Sequence, residues 1–166
     1  MSLPRTQSGH DAIYVIVDRL SKFAMFIPIQ TDVDAVGSAK AFFGNWYRLF
    51  GLPRKVVSDR DGRFLSLFWR ELFRKVQTRL AMSTSHHPQT DGQTERMNRT
   101  LEEMVRHYVN YQQTNWDALL PGLEHAYNSS AHAATGLSPF ELVYGQKPCS
   151  VTDMLVENSV SSVESV

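Results

Sequence analysis

Residues Ala12 to Val17 read AIYVIV, six consecutive apolar positions that are mostly β-branched or aromatic. So short a run, bounded by turn residues, reads as a buried strand. Asp18-Arg19-Leu20-Ser21 can turn the chain, and Lys22 to Pro28 (KFAMFIP) reads as the hairpin partner. The period then changes. From Asp34 to Phe50 the apolar residues Val36, Phe42, Phe43, Trp46 and Phe50 fall at helical spacing, and Gly51-Leu52-Pro53 stops that helix. Lys55 to Ser58 reads as a short strand, Ser66 to Val76 as a helix and Thr78 to Ser83 as another strand. Ser85 to Gly92 (SHHPQTDG) has no period and contains Pro and Gly, so it is a loop. Helices are predicted at about Gln93–Gln113 and Trp116–Ser129, with a shorter one from Ser138 to Tyr144. Strands alternating with helices imply an α/β domain.

The length of 166 residues suits one domain. It reads as residues 1–148, followed by a tail, 149–166, that is Ser- and Val-rich without a period: a disordered end or the start of a truncated element. Seventeen basic residues meet seventeen acidic ones, so the total charge points to no partner. Nucleic-acid binding needs a local basic patch rather than a basic total. The single Cys149 excludes a disulfide framework and a Cys-rich zinc site, and fits a reducing compartment. Neither a membrane span nor a signal peptide is legible.

Two carboxylates stand out by their settings. Asp59 directly follows an apolar strand, in VVSDRDGRF, and strand ends in α/β folds are where reacting groups gather. Glu95 follows the Pro/Gly loop, in HHPQTDGQTERMNRTLE, and opens a long amphipathic helix. Thirty-five residues separate them. Carboxylates brought together by a fold bind hard divalent cations such as Mg²⁺. Two such ions about 4 Å apart can activate a nucleophile and steady a leaving oxygen in phosphoryl transfer. Taken singly, Asp59 is equally a turn cap and Glu95 an ordinary acidic residue at a helix N-terminus.

The combination resembles the catalytic cores of retroviral and gypsy-type long-terminal-repeat retrotransposon integrases. The likeness runs from about Leu3 to Pro148 through LPRTQSGHDAIYVIVDRLSKFAMFIP, LFGLP, VVSDRDGRF, SHHPQTDGQTERMNRTLE and TGLSPFELVYGQKP. The family's signature is Asp, Asp, 35 residues, Glu, and Asp59 and Glu95 match its last two positions. The resemblance implies a ribonuclease-H-like fold with a mixed sheet flanked by helices. It implies metal-dependent DNA 3′-end processing and strand transfer, with Asp59 and Glu95 as ligands of a two-metal Mg²⁺ or Mn²⁺ site. It also implies DNA ends and target DNA as partners, self-association, and residence in the nucleus or an intracellular retroelement particle.

The family's first Asp lies on its opening strand, in a pattern like Asp-Phe-Ile-x-x-Leu-Pro. Leu3-Pro4 matches the end of that pattern, so the Asp falls about three residues before Met1. Met1 then reads as an internal methionine of a shortened frame or gene model, and the metal site as incomplete. Asp11, opening a strand, and Asp18, beside a turn, do not replace it. Three functions stay in play: an integrase core, an inactive remnant that binds nucleic acid or assembles, and a nuclease of the same superfold.

Arg96 and Arg99 stand three apart and share a helix face. By resemblance that face, with Asn98, lies beside the metal site and contacts DNA phosphate; Gln89, Thr90 and Gln93 belong to the loop near target DNA. The alternative is a solvated helix face. His86 and His87 lack a further His or Cys at metal-ligand spacing and read as loop residues. Asp61 serves the turn with Gly62. Met97, Leu101, Met104, Val105 and Tyr108 recur at three- and four-residue steps, a core stripe, and Trp46, Trp69 and Trp116 read as core anchors.

Overall fold

The computed structural model describes residues 3–58, 62–76, 92–109 and 114–149, with the side chains of 92–98 and of Tyr108 left aside. The predicted hairpin is there: β1 (Ala12–Val17) pairs antiparallel with β2 (Ala24–Ile29), in register from Ala12 opposite Ile29 to Val17 opposite Ala24. Asp18 closes the turn, its carboxylate accepting from the Ser21 amide at 2.8 Å and the Ser21 hydroxyl at 2.6 Å. Lys22 takes the one non-glycine positive φ among the described residues, 64°.

Helices cover both faces of the hairpin because its side chains alternate. Ile13, Val15, Ala24 and Phe26 pack against α4 (Gly92–Tyr108) and α5 (Trp116–Ser129). Tyr14, Ile16, Phe23 and Met25 pack against α1 (Ala35–Phe42), α3 (Gly62–Lys75) and α6 (Pro139–Tyr144). Phe23 sits at the centre of the second core, edge-on to Trp46, Phe50, Phe140 and Tyr144 at centroid distances of 5.2–6.4 Å.

The helix read from Asp34 to Phe50 is not one regular α-helix. Asp34 caps α1 by accepting the Gly37 amide at 2.7 Å. A π-helical turn, Phe43–Tyr47, follows, and then a last turn, α2 (Arg48–Phe50). Phe42 and Trp46 are buried and Phe50 half-buried on one side, while Phe43 stacks on Tyr47 at 4.8 Å. Gly51, at φ 71°, ends the element.

Three further boundaries differ from the sequence reading. The helix expected from Ser66 starts at Gly62. The helix expected at Gln93–Gln113 runs from Gly92 to Tyr108, and 110–113 lie outside the described residues. Lys55 to Ser58 forms no strand. A strand requires a neighbour to complete its ladder, and Thr78 to Ser83, the other expected strand in this part of the chain, is outside the described residues. The mixed sheet is therefore absent among the described residues, where the sheet is two-stranded and antiparallel. The tail from residue 150 is also outside them.

The outer edge of β2 is closed by α5. Glu124 accepts the Phe26 amide at 2.8 Å, and Asn128, one helical turn on, accepts the Ala24 amide at 2.9 Å and donates to the Ala24 carbonyl at 2.8 Å. Two residues further along this edge Pro28 has no amide hydrogen to satisfy.

Candidate functional site

Asp59 and Asp61, the loop residues His86, His87, Gln89 and Thr90, and the side chains of Gln93, Glu95, Arg96 and Asn98 all lie outside the described atoms. The approach of Asp59 to Glu95 therefore rests on the sequence. The described backbone does carry one part of that reading: α4 begins at Gly92, so Glu95 falls in its first turn. Leu101 and Val105 are buried and Met104 packs against them, which seats α4 on the hairpin by the predicted stripe. Arg99 is exposed, its Nε 3.7 Å from Glu103 Oε1 in a pair open to solvent on both sides. So loose a pair contributes little to stability and leaves the guanidinium able to exchange partners.

Asp11 and Asp18 are committed elsewhere. Asp11 accepts from the Thr31 amide at 2.6 Å and the Thr31 hydroxyl at 2.9 Å, and these bonds hold its carboxyl below the usual range. Asp18 is held by Ser21. Among the described residues no three His, Cys, Asp or Glu side chains converge as a metal site, and no helix is long and apolar enough to cross a membrane.

Sequence reasoning missed the polar contacts that set α5 against the rest. Trp116, fully buried, donates its indole N–H to the Pro4 carbonyl at 2.8 Å. Asp117, in the first turn of α5, accepts from Thr6 at 2.8 Å and lies 3.0 Å from His10 Nδ1. Burial works against ionisation of Asp117, but the hydrogen bonds from His10, Thr6 and Ser8 outweigh it and draw its pKa down. Glu124 goes the other way: burial raises its pKa, against the Phe26 amide, which lowers it. One signal was legible, Glu124 and Asn128 one turn apart on an otherwise apolar helix flank; the remote partners were not.

No family model matches the chain. It is similar to transposon polyproteins. The Tf2-3, Tf2-4 and Tf2-5 transposon polyproteins of Schizosaccharomyces pombe are each 32% identical to it over 170 residues, covering 98% of this chain. The chain spans 13% of the length of these relatives. A likeness running almost end to end supports reading it as a region of a retrotransposon polyprotein. The described fold, mixed helix and strand around a small antiparallel sheet, is compatible with the ribonuclease-H-like expectation.

Proposed function

We propose that this region is the catalytic core of a retroelement integrase, with a ribonuclease-H-like fold, acting in DNA integration by metal-dependent 3′-end processing and strand transfer. The observation that carries the reading is the Asp59–35 residues–Glu95 interval inside VVSDRDGRF and HHPQTDGQTE, in a chain similar to transposon polyproteins along nearly all its length. Two carboxylates are hard oxygen donors, the chemistry that suits Mg²⁺ or Mn²⁺. Asp59 and Glu95 would hold the ions, and bound ions there would offset the charge that builds on a reacting phosphate. Glu95 falls in the first turn of α4, and Asp59 stands three positions before the start of α3 in sequence. Arg96, Asn98 and Arg99 would meet DNA phosphate, Arg through its planar donor fork, and Gln89, Thr90 and Gln93 the target strand. Self-association and a nuclear or retroelement-particle setting belong to the same proposal.

The test is joining of a labelled duplex by the chain extended at its amino end with the relatives' preceding segment. Mg²⁺- or Mn²⁺-dependent joining is expected, and Asp59→Asn or Glu95→Gln should each lower it by ~10²-fold or more. Joining that survives both substitutions would remove these two carboxylates from the reaction. A non-catalytic, DNA-binding or assembly role is the second reading.

A further inference from the structure

The neutral total hides a segregation of charge. Between Ala35 and Val76 nine Lys and Arg residues stand against three acidic ones. On the other side of the hairpin α4 carries three of each, and α5 carries Asp117 and Glu124 with no Lys or Arg. Of this excess Lys40 on α1 and Arg63, Arg70, Arg74 and Lys75 on α3 belong to helices that pack on one face of β1 and β2, while α4 and α5 pack on the other.

The excess is ordered along α3. Leu65, Phe68 and Leu72 are buried, which turns Arg63, Arg70 and Arg74 outward, and all three are exposed. Spaced by seven and four residues, they fall within an arc of about 40° and span about 16 Å of helix. Exposed Ser66 lies near the same line. Arg63 and Arg70 form no ion pair among the described residues. Glu71 is the one acid on α3; Arg74 binds it at 2.7 and 2.8 Å, and it also lies in the field of Lys75 and Lys40. Lys40, exposed on α1, thus extends the basic surface across the seam between the two helices. Lys75 stands 5.6 Å over the Phe43 ring and edges it.

We infer that the outer face of α3, with Lys40 of α1, docks the phosphate backbone of duplex DNA without regard to sequence, across the hairpin from α4. A row of cations with its single acid already neutralised matches a regular line of phosphates, and releases their counterions on binding. A protein partner calls for apolar anchors among the polar contacts; none of the exposed large apolar side chains of the described residues lies on α3. The surface adds a second contact to the DNA reading above, and its test needs no metal and no joining, so either can fail alone.

The experiment is fluorescence anisotropy of a labelled random-sequence duplex with the 166-residue chain in EDTA, titrated at several salt concentrations. The variant Lys40→Gln, Arg63→Gln, Arg70→Gln changes three exposed side chains, and an unchanged melting temperature checks its fold. It should bind roughly tenfold or more weakly, with the salt slope smaller in magnitude by about 3, close to one for each phosphate no longer neutralised. The charge-keeping variant Lys40→Arg, Arg63→Lys, Arg70→Lys should keep the parent's slope. Parent-like binding by the first variant, or weakened binding by the second, overturns the inference. So does polyglutamate displacing the duplex at equal charge concentration, which would make the face a site for acidic protein.

Discussion

Asn128 has no exposed surface and ties both backbone groups of Ala24, itself fully buried, to α5. Asn128→Ala removes two hydrogen bonds and leaves a buried amide and carbonyl without that partner. A loss on the order of 3 kcal/mol is expected, read as a lower urea midpoint at an unchanged slope. Glu124, on the same helix, is half-buried, and burial is the chief reason its pKa stands above the ordinary glutamate value. A carboxyl that holds its proton more tightly when folded stabilises the fold below its unfolded pKa. That contribution disappears as pH rises through the folded pKa. Glu124→Gln keeps an oxygen for the Phe26 amide and never ionises. The variant should therefore gain stability on the parent as pH climbs from the usual glutamate range towards neutrality, a trend that thermal melts across that range would show. A constant difference would mean that Glu124 titrates alike in both states.

Among the elements, α5 and α6 use opposite means. The six-residue α6 is too short to persist by propensity; it is fastened at both ends. Ser138 caps the Glu141 amide at 3.3 Å while Glu141 returns to the Ser138 amide at 2.8 Å, Pro139 opens the helix, and Gly145 closes it at φ 76°. The α5 helix contains Pro121, exposed, five residues after its start, so the bond from position 121 back to the Asp117 carbonyl cannot form. Packing of Trp116, Leu120 and Leu123 and the Glu124 and Asn128 bonds hold it regardless. Pro121→Ala should raise stability by about 1–3 kcal/mol, measured as a higher denaturation midpoint. A fall would show that the proline sets the angle at which α5 crosses β2.

Across the whole molecule the basic layer of α1 and α3 faces away from a layer with no excess of cations, α4 and α5, with the hairpin between. Binding and joining are thereby separable. The 166-residue chain is expected to bind duplex DNA in a steeply salt-dependent way. On its own it is expected to show no strand transfer with Mg²⁺ or Mn²⁺, because two carboxylates hold a pair of cations poorly. A labelled-oligonucleotide assay decides: joining by this chain, abolished in Asp59→Asn, would point to a further ligand among its own residues.

What the sequence determined by itself was periodicity. A short apolar, β-branched run with a turn after it becomes the β1–β2 hairpin, and the apolar steps along α4 mark which side turns inward, because backbone geometry fixes both repeats. It also held the Asp59 and Glu95 spacing, which is linear information, and the charges of α3. It did not hold the π turn at Phe43–Tyr47, since the apolar steps that suit an α-helix also suit a wider turn once Phe42 and Trp46 share a core. Nor could it show that Lys55 to Ser58 forms no strand, because a strand depends on its neighbour. Only the tertiary structure brought Asn128 to Ala24, Asp117 to Thr6 and His10, and Trp116 to Pro4, pairs more than a hundred residues apart in sequence. Such pairs leave no local pattern, since each is selected by the burial of a polar group that must then find a partner wherever the packed chain supplies one.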